Sequence, residues 1–507
     1  MLGIASPASA KWRVAESDHF VIYAEDSEKD LQRFALALER YHAAMSYVVG
    51  RKVSPPSPSN RVTIFVVGDQ GDIRRLKGDN DRFVGAFYSP RAGGSVAFVQ
   101  DIQFTSGEPT WSMILLLHEY AHHFIMTSSR FALPRWMNEG AAEFFASAKF
   151  GSDGTVQIGR PANHRAGELA YADDVTVQEL LDPDLYEAKR GRGYDAFYGK
   201  SWLLYHYLRF NEERRGQIGT YMQKLATGSP SAEAAQEAFG DIDQLNREVK
   251  AYLKSRKMSA YNVTPDLLTV GAVTISELST GAEAMMPVVV RSRRGVDAEG
   301  AAEVVVEARR IAAAYPEDAF VLTALAEAEY DAGNDEAAIA AADAAITRDR
   351  GAKNAYVQKG YALFRLAADA EDKDAAYKAA MAPFTTLNSL ENDHPLPLIY
   401  YYRSYAERGQ TPPEQAKLAL EQAAMMAPFD KGLWINAGMM QAQEGQIALA
   451  ISSLTSVAND PHGGKASAAA KSLIAQLEKA TEGQPFRFGN ARGVANALED
   501  EEGDEGE

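Results

Sequence analysis

The spacing of apolar residues separates a mixed first part of the chain from a helical second part. Residues 12–25 (WRVAESDHFVIYAE) and 61–67 (RVTIFVV) contain short runs of β-branched and aromatic residues, which predict strands. Residues 27–49 instead repeat their apolar positions with the period of a helix. Two more strands are predicted on either side of the turn at 90–94 (PRAGG). Residues 11–105 are therefore expected to form a small mixed sheet with one long helix.

Helical periodicity dominates the next part of the chain. Helices are predicted over 109–126, from Pro134 onward, over 194–210 and over 241–256. Together with the sheet, these helices predict a single α+β domain that extends over residues 11–260.

Residues 298–480 are rich in alanine and internally repetitive. The segments 319–350 and 431–461 place small and apolar residues at matching offsets of the tetratricopeptide template. Two degenerate repeats, near 353–390 and 395–428, would fill the space between them. The pattern predicts an all-α solenoid of the tetratricopeptide type, in which each helix pair buries its face on the next. A generic alanine-rich helical bundle is the alternative.

Composition marks the two ends of the chain and the connection between its parts. The stretch SPASA has the small residues that precede a signal-peptidase cut, so residues 1–10 are expected to be a signal-peptide remnant and the protein to be exported, either periplasmic or secreted. An ordinary terminus and a cytoplasmic location are the alternatives. Residues 261–297 are expected to be a linker, and residues 481–507 a disordered acidic tail.

Charge and composition exclude several classes of function. The formal net charge is −17, which argues against nucleic acid as a partner, because phosphate binding needs a basic face. The chain has no cysteine, which excludes disulfides, thiol nucleophiles and cysteine-ligated zinc. No apolar run reaches the ~20 residues that span a bilayer, so no transmembrane segment is expected. Any metal ion must be held by histidine and carboxylate side chains.

The apolar helix that contains LLLHEYAHHF carries polar residues that need partners. His118 and His122 are four residues apart, so both project from one helix face with Cβ atoms about 5–6 Å apart. Two imidazoles at that separation suit one zinc ion, and Glu119 between them suits a general base. This HExxH pattern predicts a hydrolytic zinc site. A pair of hydrogen-bonded core histidines is the alternative.

A hydrolytic zinc site needs a third protein ligand and one open position. Glu139 follows His122 by 17 residues, in the next predicted helix, which a turn would bring opposite the two histidines. Glu143 lies one helical turn further along the same face, where its carboxylate would accept the ring N–H of His118. A solvent-exposed Glu143 is the alternative. Zinc is the expected cofactor, although such ligands discriminate weakly between divalent ions.

These motifs resemble the gluzincins, the HExxH zinc peptidases whose third ligand is a downstream glutamate. The run WMNEG at 136–140 is similar to the third-ligand helix of zinc aminopeptidases and of the peptidase MA-like family. The run FYGKSWLLYHYL at 197–208 is similar to the helix of aminopeptidase-type gluzincins that begins with Y-x-K-G. The resemblance implies a gluzincin-like catalytic domain in which Tyr198 hydrogen-bonds the tetrahedral intermediate. A core aromatic role for Tyr198, with Tyr194 as the reserve candidate, is the alternative.

One feature of the aminopeptidases is missing. They carry a G-x-M-E-N strand whose glutamate binds the free amine of the substrate, and the corresponding stretch here, GGSVAFVQD at 93–101, has no glutamate. Exopeptidase activity is therefore not implied. This stretch is expected to be an edge strand that pairs with an extended peptide.

The sequence predicts a zinc-dependent peptidase that acts on a peptide or protein substrate, with helical repeats that recruit a protein partner. The alternative is a non-catalytic interaction scaffold built on the repeats, in which the zinc domain is structural or inactive.

Overall fold

The computed structural model describes residues 11–78, 85–100, 102, 108–129, 131–189, 193–460 and 462–488. The signal-peptide remnant expected at 1–10 and the acidic tail from residue 489 onward lie outside the described residues. Within these ranges, a mixed sheet surrounded by helices is followed by a solenoid-like array of helices. None of the described helices combines the length and the apolar character needed to cross a membrane.

The strands of the described ranges form two sheets. They are β1 (Arg13–Glu16), β2 (Phe20–Ala24), β3 (Val62–Val66), β4 (Ala86–Ser89), β5 (Val96–Val99), β6 (Lys149–Phe150), β7 (Val156–Ile158), β8 (Tyr261–Val263) and β9 (Thr274–Glu277). The larger sheet has the order β4-β5-β3-β2-β1-β9, and the smaller one β6-β7-β8. In the larger sheet β2, β3 and β5 run parallel, whereas β1, β4 and β9 are antiparallel to their neighbours.

The stretch 93–101 is not the edge strand expected from the sequence. Its strand β5 pairs with β3 on one side and with β4 on the other, so neither side of its backbone is open to an added peptide. Gly93, with φ of 75°, lies in the turn that folds β5 back along β4. The two edges of the larger sheet are therefore β4 and β9.

The helices of the first part pack around the sheets. They are α1 (Glu28–Val49), α2 (Gln70–Lys77), α3 (Trp111–Ser128), α4 (Arg135–Ala146), α5 (Ala166–Tyr171), α6 (Val177–Leu181), α7 (Pro183–Lys189), α8 (Phe197–Phe210), α9 (Gln217–Ala226), α10 (Ser231–Phe239) and α11 (Ile242–Tyr252). Ser27 begins α1 by accepting a hydrogen bond from Asp30 N at 3.1 Å. Helices α1, α3, α4 and α8 bury apolar residues in one core against β2 and β3. Helix α2 was not predicted, because Ile73 is the one residue that it buries.

The second part is an array of helices that pack in consecutive pairs. They are α12 (Thr280–Arg294), α13 (Ala298–Ala314), α14 (Ala319–Asp331), α15 (Asp335–Arg348), α16 (Lys353–Ala368), α17 (Lys373–Leu390), α18 (Pro395–Ala406), α19 (Glu414–Met426), α20 (Lys431–Gln443), α21 (Ile447–Ala458) and α22 (Gly464–Leu477). The repeats expected near 353–390 and 395–428 coincide with the pairs α16–α17 and α18–α19. Each pair buries its apolar face on its neighbours, as in a solenoid.

Residues 261–297 are structured and do not form the expected linker. Strand β8 joins the smaller sheet, and β9 pairs with β1 of the larger sheet. Helix α12 packs Met286 and Val290 against Phe65 and Phe98 on the second face of the larger sheet. Strand β9 gave no sequence signal because its residues are mostly exposed.

The start of the predicted acidic tail, residues 481–488, contacts the array. The N–H of Phe486 donates to Ala442 O at 2.8 Å, and the Phe486 and Phe488 rings pack on the apolar cluster of α20, α21 and α22. These two aromatic residues precede the acidic run that predicts disorder, so residues 481–488 do not belong to the disordered tail expected from residue 481 onward.

Candidate metal centre

Two consecutive helices, α3 and α4, carry the HExxH and NEG motifs. Thr110 begins α3 by accepting a hydrogen bond from Met113 N, and Pro134 immediately precedes α4. The helical spacing places His118 and His122 on the same face of α3, and the two helices pack directly against each other. The packing brings Glu139 of α4 to these two histidines.

The side chains of His118, His122 and Glu139 converge on one point. One ligand atom from each lies within 4.8 Å of the other two. His118 Nε2 and His122 Nε2 are 3.0 Å apart, and they lie 3.3 and 3.4 Å from Glu139 Oε2. All three residues are buried, and Glu139 is 0% exposed. Among the described residues, this is the group of histidine and carboxylate side chains that has the spacing of a metal site.

The outer ring nitrogens of both histidines face hydrogen-bond acceptors. His122 Nδ1 lies 3.1 Å from Asn138 Oδ1, and His118 Nδ1 lies 3.2 Å from Glu143 Oε1. An imidazole that donates through Nδ1 presents a lone pair on Nε2 when it is neutral. Both Nε2 lone pairs then point toward the Glu139 carboxylate. Three acceptors that face one another require a positive charge between them.

The Glu139 carboxylate supports the same conclusion. Neither of its buried oxygens makes a well-formed hydrogen bond with the described residues, and its contacts to His118 and His122 Nε2 are 3.3 and 3.4 Å long. A buried carboxylate without donors is costly unless a cation compensates it. Two imidazole nitrogens and one carboxylate are a ligand set that suits zinc, so the residues present fit the expected metal ion.

The pKa values of His118 and Glu139 are also shifted in the directions that favour positive charge at the centre. Burial lowers the pKa of His118, but Glu143 and Glu139 outweigh burial and raise it to about 10. Burial raises the pKa of Glu139, but His122 and His118 outweigh it and hold the pKa well below its usual range. A proton and a metal ion therefore compete for His118 Nε2.

Glu143 is buried and does not face solvent. Besides His118, it contacts His164 Nε2 at 2.5 Å and accepts a hydrogen bond from Arg165 Nε at 2.9 Å. Burial alone would raise the pKa of Glu143, but Arg165 and His118 hold it well below its usual range. The carboxylate therefore remains ionised and fixes the orientation of the His118 ring.

Glu119 is more accessible than the three converging residues. Its side chain is 22% exposed, whereas the three converging residues are almost completely enclosed. Burial raises its pKa, but His462, His118 and His122 lower it to about 2. The Glu119 carboxylate is therefore ionised near neutral pH and partly accessible, so it can accept a proton.

Tyr198, in the first turn of α8, is a neighbour of Glu139. The Glu139 carboxylate is the largest cause of the raised pKa of Tyr198, followed by burial, and Arg135 and Arg165 oppose the rise. The Arg165 guanidinium carbon lies 4.7 Å from the centre of the Tyr198 ring. Tyr194, the reserve candidate, is 71% exposed.

Gly140 allows α8 to approach Glu139 closely. A Cβ at this position would lie 2.4 Å from Ser201 O and 3.1 Å from Tyr205 Cβ. The glycine that follows Glu139 in the motif is therefore required by the packing of α4 against α8. This contact also brings Tyr198 to the centre.

Sequence reasoning missed three residues near the centre: His164, Arg165 and His462. The first two follow β7 in the chain and reach Glu143 only because the chain folds back over α4. His462 comes from the helical array and lies 3.6 Å from Glu119, between Nε2 and Oε2. None of them lies in a recognisable motif, so the sequence carried no signal for them.

Comparisons with known proteins give one family match and several similar solved structures. A family described as "Protein of unknown function (DUF1570)" matches residues 113–232, from within α3 to the start of α10. No curated protein matches the chain. Among similar solved structures is a thermophilic TPR protein of Thermus thermophilus, at 14% identity and a TM-score of 0.30. The match covers 39% of this chain and 95% of that protein.

Proposed function

We propose that this chain is a zinc-dependent peptidase of the gluzincin type. The observation that supports it most directly is the group of three buried ligands, His118, His122 and Glu139. Structural zinc sites have four protein ligands, whereas hydrolytic sites have three and keep one position open. The partly accessible Glu119 carboxylate next to the two histidines further favours catalysis.

His118 Nε2, His122 Nε2 and one Glu139 oxygen would hold the zinc ion. When bound, zinc supplies Lewis acidity, which polarises a carbonyl group and makes water acidic enough to attack it near neutral pH. Asn138 and Glu143 keep the two imidazoles in the required tautomer through the outer ring nitrogens.

Two further residues act on the substrate in this proposal. Glu119 accepts the proton of the attacking water and passes it to the leaving amine. The Tyr198 hydroxyl donates a hydrogen bond to the substrate oxygen as negative charge develops on it. The pKa of Tyr198 is raised by Glu139 and by burial, so the hydroxyl keeps the proton that this role needs.

We also assign the helical array a role in binding the protein substrate. Two of its loops, at Phe429 and at His462, lie against α3 beside the metal centre. A segment of a protein that contacted the array there would also lie beside Glu119. Tetratricopeptide-type repeats, which the sequence predicts, commonly provide such binding surfaces.

Metal analysis combined with a peptide-library digest tests the proposal. The purified full chain is expected to contain about one zinc per molecule, and a chelator should abolish its cleavage of library peptides. Glu119→Gln should keep zinc but lower the rate by a factor on the order of 10²–10⁴, because it removes the base. His122→Ala should lose both zinc and cleavage.

Glu336→Gln provides the matched control, since this exposed residue of α15 lies in the array and makes the same chemical change. It should behave like the parent. A Glu119→Gln variant as active as the parent would discard the base assignment. A zinc-loaded parent that cleaves no library peptide would favour the interaction scaffold.

A further inference from the structure

Two loops of the helical array cover one face of α3. Four residues of that face follow the i, i+3, i+4, i+7 spacing: Glu119, His122, His123 and Met126. Phe429, in the loop between α19 and α20, stacks on His123 with ring centroids 4.5 Å apart. Met126 packs on the apolar cluster that contains Phe429. The array therefore contacts the same helix face that carries a metal ligand and the proposed base.

His462, in the loop between α21 and α22, lies directly beside the metal centre. Its Nε2 is 3.6 Å from Glu119 Oε2, and its ring centroid is 5.2 Å from that of His122 at an interplanar angle of 81°. It does not belong to the group of converging ligand atoms. The His462 side chain is 40% exposed, so it remains accessible to a substrate that approaches Glu119.

The loop that carries His462 is held by a buried carboxylate. Asp460 Oδ1 accepts a hydrogen bond from His462 N at 3.0 Å. The other oxygen of Asp460 lies 3.2 Å from Lys431 Nζ, at the start of α20. These contacts fix the backbone at His462 relative to the neighbouring helix of the array.

The array is tied to the first part of the chain at further points. Asp430 Oδ2 accepts a hydrogen bond from Ala92 N at 3.0 Å. The Glu391 carboxylate accepts hydrogen bonds from Ser59 N and Ser59 Oγ at 2.9 and 3.0 Å. His462 therefore reaches Glu119 as part of a packed interface between the two parts.

From these contacts we infer that His462 is a positioning residue of the proposed active site, which is assembled from both parts of the chain. The polar contact of 3.6 Å between His462 Nε2 and Glu119 Oε2 restrains the Glu119 carboxylate beside the metal ligands. Correct docking of the helical array is then a condition for catalysis. The catalytic meaning of this contact rests on the proposed function, but the contact itself can be tested without turnover.

The test compares zinc-loaded full-length variants at His462. His462→Ala removes the partner of Glu119, whereas His462→Gln keeps an N–H donor. Acetohydroxamate, a small zinc-binding probe whose acidic proton pairs with a carboxylate beside the metal, reports on Glu119 without turnover. Library peptides report on kcat and KM. Ser472→Ala, at an exposed position on α22, is the matched control for a change in the same hairpin.

His462→Ala is expected to keep the zinc affinity of the parent, because His462 is not a ligand. It should weaken acetohydroxamate binding and lower kcat by roughly two- to tenfold, the usual effect of losing one ordinary polar contact, with KM little changed. His462→Gln should recover part of both losses. The Ser472→Ala variant should match the parent.

Two outcomes would overturn the inference. His462→Ala with parental acetohydroxamate affinity and kcat would show that the contact does not position Glu119. A higher kcat in His462→Ala would show that the loop obstructs the centre instead of completing it. If the parent binds zinc but cleaves no peptide, the proposed function fails, and the acetohydroxamate series still decides whether His462 positions Glu119.

Discussion

Replacing Gly140 by alanine is expected to weaken the proposed metal centre without removing any of its proposed ligands. The added Cβ would lie 2.4 Å from Ser201 O and 2.8 Å from Ser201 C, both backbone atoms of α8. Ordinary van der Waals contact begins at 3.4 Å, so α4 and α8 must separate by about 1 Å. Backbone atoms inside a helix cannot turn aside as a side chain can. The segment that moves includes Glu139, which is adjacent to Gly140.

The displacement is large compared with the tolerance of a metal site. Ligand distances are held to within about 0.2 Å, so zinc affinity should fall on the order of ten- to a hundredfold, as when a residue that orients a ligand is lost. Overpacking should cost about 1–3 kcal/mol of the free energy of unfolding. Alanine recovers about 1 kcal/mol of this because it is the better helix former. Zinc affinity should therefore change more clearly than stability.

Competition with a chromogenic chelator measures the zinc affinity, and unfolding of the metal-free protein measures the packing cost. Gly219→Ala is the matched control, because a Cβ at this position of α9 has no atom within 4 Å. It should keep the parental zinc affinity and stabilise the chain by up to about 1 kcal/mol. Parental zinc affinity in Gly140→Ala would refute the argument that close packing of α4 on α8 positions Glu139.

Two further predictions concern the centre and the core. Glu143→Gln should lower zinc affinity by about ten- to a hundredfold, because His118 loses the charged acceptor that orients its ring. Competition with a chelator measures the affinity. An unchanged affinity would contradict the prediction. His206 is buried, and its pKa is lowered from 6.5 to about 4 mainly by burial. Below pH 6.5, His206 becomes protonated in the unfolded chain, but it stays neutral in the folded chain until the pH approaches 4. Stability should therefore fall as the pH drops from 6.5 toward 4, by up to about 1.4 kcal/mol per pH unit for this histidine. Urea unfolding of the parent and of His206→Asn at about pH 7, 6 and 5 measures the slope that His206 contributes, and equal slopes in the two proteins would contradict the prediction.

Local patterns were sufficient to predict the elements that contain the proposed ligands. His118 and His122 are four residues apart on one helix, so their common face follows from helical geometry alone. Glu139 could be proposed because it lies in the next helix after a short connection. Helix α1 was predictable because apolar periodicity and the N-cap Ser27 agree. The repeats near 353–390 could be located because they fill the space between the two segments, 319–350 and 431–461, that match the template.

Features that depend on long-range packing could not be predicted. Strand β9 is short and mostly exposed, yet it pairs with β1, from which it is separated by most of the first part of the chain. Arg165 reaches Glu143 through the fold of the segment after β7, and no spacing rule relates the two. His462 reaches Glu119 across 343 residues of sequence, through an interface that the separate patterns of the two parts did not indicate.

The proposed function depends on one zinc ion that His118, His122 and Glu139 would hold. Anomalous diffraction from crystals of the zinc-loaded full chain, measured on both sides of the zinc absorption edge, tests it most directly. We predict one strong peak about 2.0–2.2 Å from His118 Nε2, His122 Nε2 and a Glu139 oxygen, with no fourth protein ligand. A peak elsewhere, or a Glu139 carboxylate turned away from the two imidazoles in zinc-saturated crystals, would contradict the account.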